Sequence, residues 1–194
     1  MQREGTSNSE RLIQALEQLL THRRFAELSA SQISAQAGVS RATFYRNFET
    51  KTDLLIAAIL SGRDHSGDAE RVTSDDTTLV DLEIAVRTRM GDNPLALALL
   101  RAALEMQYRD PRVARLLAQR EAQCRQFWIS YTRRAKDLGL AVAGEPEEIG
   151  ALVDRFVQSN AFAAVNGQLD LNGDRIALIA DATARIMFAA RRVG

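Results

Sequence analysis

The sequence predicts an all-α protein of about nine helices, on three observations. Ala, Leu, Arg, Glu and Gln, all good helix formers, are abundant, and there are only three prolines in 194 residues. Apolar residues recur at three- and four-residue spacing along most of the chain, the period of a helix with one buried face. The interruptions carry the chemistry of helix ends: Ser or Thr ahead of Gln or Asp, Gly at the close, Pro in the first turn. With 46% apolar residues, a real core can be buried, and the low-hydrophobicity, high-charge balance of disordered chains is absent.

Residues 1–8 are polar and read as a disordered arm. A helix then covers Ser9–Arg23, with Leu12, Ile13, Leu16, Leu19 and Leu20 on one stripe. Phe25 and Leu28 plug a short connection. Ser29 with Gln32 is a capping box for a helix whose apolar side is Ile33, Ala37 and Val39, and Gly38 closes it in the left-handed conformation. Ser40 caps the next helix, Arg41–Phe48. Thr50 with Asp53 is a further capping box, opening a fourth helix through Leu54, Leu55, Ala58 and Ile59. Residues 61–77, polar and Gly-containing, form a connecting segment between a domain at 1–60 and a second at 78–194. Five helices are expected in the second domain, at about 78–90, 94–107, 111–137, 146–166 and 173–191. Pro94, Pro111 and Pro146 all fall where a first helical turn tolerates a missing N–H.

Composition bounds the function. Net charge is zero, from 25 basic and 25 acidic residues. Residues 1–63 hold eight basic and six acidic side chains, a net +2 that the remainder offsets, so affinity for a polyanion must come from local placement and not from a bulk field. Cys124 is the single cysteine, which rules out an intrachain disulfide and fits a reducing compartment. No secretory signal and no apolar run approaching ~20 residues is present, so a soluble, cytoplasmic protein without a membrane partner is expected. Catalysis finds no support. His22 and His65 fall at a helix end and in the connecting segment, and metal-ligand spacing, a Gly-rich phosphate loop and a nucleophile elbow are all missing. Asp75-Asp76 and Glu147-Glu148 are linker and helix-start charges. No catalytic residue, metal or cofactor is expected.

Residues 29–48, SASQISAQAGVSRATFYRNF, have the layout helix, turn, helix. In such a unit one helix braces across the DNA backbone while the N-terminal part of the second enters the major groove, which is ~12 Å wide and admits one helix. Ser40 as cap leaves backbone N–H groups pointing outward toward a phosphate. Arg41 suits a bidentate contact to guanine, Thr43 and Tyr45 can donate to phosphates, and the small Ala42 lets the helix approach and can touch a thymine methyl. Phe44 and Phe48 face inward, with Ile33, Ala37, Leu16 and Leu54. Lys51, at the start of the fourth helix, is placed for a phosphate contact.

The run Phe25-x-x-Leu28-Ser29-Ala30-x-x-Ile33-Ser34-x-x-Ala37-Gly38-Val39-Ser40-x-x-Thr43-Phe44-Tyr45-x-Asn47-Phe48-x-x-Lys51-x-x-Leu54-Leu55 closely resembles the TetR family of regulators, with the likeness covering about residues 9–60. The resemblance implies a three-helix DNA-binding head, a connecting helix and an all-helical domain for ligand binding and dimerisation. It implies DNA contacts from Ser40, Arg41, Ala42, Thr43, Tyr45, Arg46 and Asn47, with Lys51 on the backbone. Asn47 stands where the family usually has His, and Ser29-Ala30 replaces a commoner Thr-Thr or Thr-Val. It further implies a homodimer through helices at about 146–166 and 173–191, bound to a double-stranded palindromic operator, most often as a repressor.

A small-molecule effector, of identity the sequence does not give, is implied for the second domain. Candidate lining residues are Met90, Leu97, Arg101, Met106, Phe127, Trp128, Tyr131, Asn160 and Phe162, a mostly apolar set that favours a hydrophobic or aromatic molecule. Arg101 and Asn160 each fall among apolar neighbours and need a polar partner if buried. Two alternatives stay open: an activator of the same fold, and a helical interaction module that never touches DNA.

Overall fold

The computed structural model describes residues 7–61, 79–90 and 94–188. Among them are nine α-helices: α1 (Asn8–Leu20), α2 (Ala30–Ala37), α3 (Arg41–Asn47), α4 (Lys51–Leu60), α5 (Leu79–Met90), α6 (Pro94–Met106), α7 (Pro111–Asp137), α8 (Pro146–Val165) and α9 (Gly173–Met187), with a single 3-10 turn at Phe25–Glu27. The expected arm at 1–8 falls mostly outside the described residues, as does the connecting segment 61–77 apart from Ser61. Among the described residues no helix is long and apolar enough to cross a membrane, and no group of His, Cys, Asp or Glu is arranged to hold a metal ion.

The helix ends follow local chemistry. The Ser29 and Thr50 hydroxyls each accept from the backbone N–H three residues on, and Gln32 and Asp53 reach back to complete both capping boxes. Gly38 closes α2 at φ 64°, a conformation that costs a glycine nothing sterically. Pro94, Pro111 and Pro146 each open a helix. Three boundaries differ from expectation. Helix α1 starts one residue earlier, because Ser7 with Glu10 forms its own capping box, and it ends at Leu20 and not at Arg23. Helix α9 stops at Met187 and not near 191: Phe188 turns extended, forms an antiparallel bridge with Val142, and the Ala143 N–H bonds the Met187 carbonyl at 2.9 Å.

The chain divides into two compact units. In the first, α1–α4 enclose Leu12, Leu16, Leu20, Phe25, Ile33, Phe44, Leu54 and Leu55, all 0–1% exposed. Each such side chain contributes roughly 1.5–3 kcal/mol by leaving water, which lets short helices hold where they would fray alone. Helix α6 and the first residues of α7 belong to this unit. α6 lies within the segment assigned above to a second domain at 78–194. Its small residues Ala98 and Ala102 nevertheless seat it directly on the α1–α4 core.

The second unit comprises α5, the remainder of α7, α8 and α9. Its core holds Leu82, Val86, Met90, Trp128, Tyr131, Val153, Val157, Ile176, Ile179 and Met187. Gly150 permits the close approach of α8 to α7: a Cβ there would stand 2.6 Å from the backbone N and Cα of Ile129. Buried Thr132 and Thr183 donate to carbonyls one turn back in their own helices, at 2.7 Å each, so neither hydroxyl is left unpaired.

Candidate nucleic-acid interface

Helix α3 is short, and its orientation is set by what it buries. Phe44 is fully buried, edge-on to Tyr45 at 5.3 Å and tilted against Phe48 at 6.2 Å. With Phe44 and Thr43 facing in, the residues at the helical spacing opposite them face out: Arg41, Ala42, Tyr45 and Arg46 are all exposed. Ser40 caps the helix, its hydroxyl accepting from the Thr43 N–H at 3.0 Å. The guanidinium of Arg41 lies 5.5 Å over the Tyr45 ring and 3.4 Å from its hydroxyl. These two side chains thus brace each other on the solvent face, and the donors they present are partly ordered in advance. The turn before α3 is tied from behind, since Arg11 of α1 donates to the Gly38 carbonyl at 3.2 Å.

Three of the expected DNA contacts have other work. The Thr43 side chain is buried: its hydroxyl lies 2.9 Å from that of Ser40 and accepts from Arg46 at 3.0 Å, so it steadies Arg46 and does not reach outward. Asn47 is exposed, but its amide donates to the Thr43 carbonyl at 2.7 Å, within its own helix. Lys51 is the largest correction. Its ammonium turns inward and donates to the carbonyls of Phe25 at 2.9 Å and Leu28 at 2.8 Å, and it lies 4.7 Å over the Phe25 ring. Burial pushes its pKa below the ordinary lysine value, against the pull of Glu105 and with the push of Arg109. The reason is geometric: α4 begins beside the 3-10 turn, where the Phe25 carbonyl has a lone pair to spare beyond its bond from the Leu28 N–H and the Leu28 carbonyl lies just past the turn.

Helix α6 and the start of α7 supply residues that the sequence reading missed or misplaced. Arg101, a candidate ligand residue, donates to the Leu20 carbonyl at 2.8 Å and so caps the end of α1. Met106 packs on the α1–α4 core, and Leu97 is half-buried on the same helix. Arg101 and Met106 are engaged with the head because the apolar side of α6 packs there. Glu105 accepts from the Ala26 N–H at 3.2 Å. Arg112 spans Asp53 of α4 and Asp110, each at 2.7 Å. Burial by itself raises the Asp53 carboxyl, but hydrogen bonds from Thr50 and Arg112 outweigh it and hold the group below the usual carboxylate range. Apart from Asp110, two positions from Arg112, the partners of these residues lie tens of positions away, where the local sequence does not mark them.

The other candidate ligand residues lie in the second unit. Phe127, Trp128 and Tyr131 form one aromatic cluster, with centroids 5.1, 5.8 and 6.0 Å apart, and Met90 is buried in the same core. Asn160 finds the polar partner it needs in the Phe156 carbonyl of its own helix, at 2.8 Å, and Phe162 is half-buried.

A capped, outward-facing second helix on a small apolar head has the layout of a helix-turn-helix unit. Residues 12–58 match the profile of bacterial regulatory proteins, tetR family, so the head is a TetR-type N-terminal domain. No curated protein sequence matches the chain significantly. Among solved structures, a transcriptional regulator from Saccharomonospora viridis in complex with choline is similar at TM-score 0.81 and 13% identity, covering 94% of this chain and 98% of that one. A TetR transcription regulator from Haloarcula marismortui gives TM-score 0.76 at 17% identity, over 92% and 95% of the two chains. A SmeT–triclosan complex gives 0.72 at 19% identity, over 95% and 93%. At these identities the likeness is one of fold, and it confirms the all-helical architecture.

Proposed function

We propose that the chain is a cytoplasmic repressor that binds a palindromic operator as a homodimer and is released by a small molecule. The observation that carries this reading is the stripe Arg41, Ala42, Tyr45 and Arg46, turned to solvent by a fully buried Phe44 and opened by the Ser40 cap. Arg41 and Tyr45 are the direct reading residues, with Arg46 on a phosphate. One such stripe reads too few base pairs for specificity. Two copies about a two-fold axis, ~34–36 Å apart, read a palindrome. Leu152 of α8 and Leu178 of α9 are 52% and 57% exposed, which favours self-association through these two helices. The division of labour, a DNA-binding head and a body for ligand and partner, is part of the same proposal.

Release follows from a population shift. A ligand in the second unit favours a state whose two recognition helices no longer match the operator, and it does so only by binding the two states unequally. The solved neighbours in complex with choline and with triclosan support a small molecule as the trigger.

The test is selection of bound sequences from a random DNA pool with the full-length protein, followed by binding to the selected site. An inverted repeat is expected, and the double substitution Arg41→Ala, Tyr45→Ala is expected to lower affinity at least tenfold while helicity is kept, each lost base contact being worth about 1–3 kcal/mol. Unchanged affinity in that variant, or selection of no common sequence, defeats the reading in favour of an interaction module.

A further inference from the structure

Several arginines in this structure are paired with acids. Arg87 meets Glu83, Arg112 meets Asp53 and Asp110, Arg133 meets Glu147, and Arg185 meets Asp181. Arg89, in the last turn of α5, is different. It is half-buried, and its Nε is enclosed with no acceptor among the described residues. No carboxylate there lies within ion-pair distance of it. Its guanidinium carbon stands 4.0 Å over the Phe127 ring, face to face with one wall of the aromatic cluster.

The surroundings add positive charge and do not cancel it. Burial pushes the Cys124 thiol up, against the charges of Arg89 and Arg120 and a hydrogen bond from Arg89, so one donor of that guanidinium meets sulfur while its Nε meets no acceptor among the described residues. The buried acid of this neighbourhood, Asp154, is already engaged: the Gln158 amide stands 3.1 Å from both of its oxygens and Arg125 lies 3.7 Å away. Glu121, beside Asp154, is exposed to water. A desolvated guanidinium with an unused donor is costly, and folds keep such a group where something else supplies the acceptor. A planar fork of N–H donors suits a carboxylate. Phe127, half-buried, is the accessible edge of an apolar wall, with Trp128, Tyr131 and Met90 packed behind it.

Resting on the reading of the chain as a ligand-released regulator, we propose that its second unit takes a small organic acid: a carboxylate on Arg89 and an apolar body against the Phe127–Trp128–Tyr131 cluster. A quaternary ammonium such as the choline of the Saccharomonospora neighbour is disfavoured here, because it would meet like charge.

Trp128 is the chain's one tryptophan, is fully buried, and stands 5.1 Å from the Phe127 ring that Arg89 covers, so its emission reports on this place alone. The full-length protein is titrated with octanoate and phenylacetate, their neutral amides, and choline. The acids are expected to shift Trp128 emission and to bind about tenfold more tightly than the amides, the preference of a charge-assisted pair over a neutral one. Arg89→Gln is expected to abolish that preference while leaving amide binding intact, and Arg89→Lys to retain part of it; unchanged helicity verifies that both fold. Amides that bind as well as acids, choline binding more tightly than either, or emission that no acid moves each overturn the proposal. Release of the selected operator is read in parallel. Release by choline or an amide, with no preference for acids, removes the acid assignment and leaves the ligand-released regulator standing. Acid binding at Trp128 without release does the reverse.

Discussion

Replacing Lys51 by Met separates two roles that the sequence alone does not distinguish, a phosphate contact and an internal clamp. The structure gives the ammonium two short bonds, to Phe25 O at 2.9 Å and Leu28 O at 2.8 Å; a third, to Ala26 O at 3.4 Å, is too long to count for much. Hydrogen bonds from a charged donor are worth roughly 1.5–3 kcal/mol each. About half of that returns when carbonyls at the rim of the head bond water instead, and the ammonium's own burial cost is relieved. Loss of the cation from the face of Phe25 adds about 0.5–1 kcal/mol, while Met keeps the packing of the stem. The net is a destabilisation of about 2 kcal/mol, or about 4–8 °C in Tm for a chain of this size. Two measurements decide it: thermal unfolding followed by helicity, and the dependence of operator affinity on salt. The expected result is a lower Tm with an unchanged salt slope. A Tm within about 1 °C of the parent, together with a log–log slope reduced by about one, is the signature of a lost phosphate contact and refutes the clamp.

Two further substitutions probe the second unit. Gly150→Ala places a methyl 2.6 Å from the Ile129 backbone. Backbone cannot step aside as a side-chain tip can, so a loss of about 2 kcal/mol is expected in urea unfolding monitored by Trp128, even after the gain in helix propensity; a variant as stable as the parent shows that the helices are not in this contact. Asp154 has its pKa raised above 3.8, by burial first, against hydrogen bonds from Gln158 and the charge of Arg125. The folded state therefore holds this proton more tightly than the unfolded state does. That contribution is full below 3.8 and is lost as pH rises through the raised value. The stability advantage of the parent over Asp154→Asn is accordingly expected to shrink with rising pH across that window, in urea midpoints taken at a series of pH values, and a gap that widens contradicts the sign.

What was legible in the sequence is what is local. Ser29 with Gln32, Thr50 with Asp53, Gly38 and the three prolines all act on backbone groups within one turn, so their identity and spacing state the helix ends directly. The outward stripe of α3 was legible for the same reason: one buried aromatic, Phe44, fixes the phase of a seven-residue helix. Charged side chains behave otherwise. Lys51 and Arg101 read as phosphate- or ligand-facing because nothing near them in sequence claims them. Their partners, Leu28 and Leu20, lie 23 and 81 positions away. The end of α9 was misplaced on the same ground, since it is set by pairing with Val142 and not by any residue of the helix itself.

On the proposed reading, this use of charge bears on how a chain of zero net charge meets a polyanion. Short helices end in backbone carbonyls with spare lone pairs, and in the head three cations bond them: Arg11 at Gly38, Lys51 at Phe25 and Leu28, Arg101 at Leu20. A carbonyl does not neutralise a cation, so each still adds to the positive potential of the head, but its donors are spent inside and not on the outer face of α3. On α3 itself the exposed cations are Arg41 and Arg46, both of them held by neighbours, Tyr45 and Thr43. A face with so few charges gains little from bulk attraction, so its affinity must rest on donors already in place when the groove arrives and on the pairing of two such faces. The cations turned inward serve that end: by tying the short elements of the head together, they lower the ordering cost that each contact on α3 would otherwise pay.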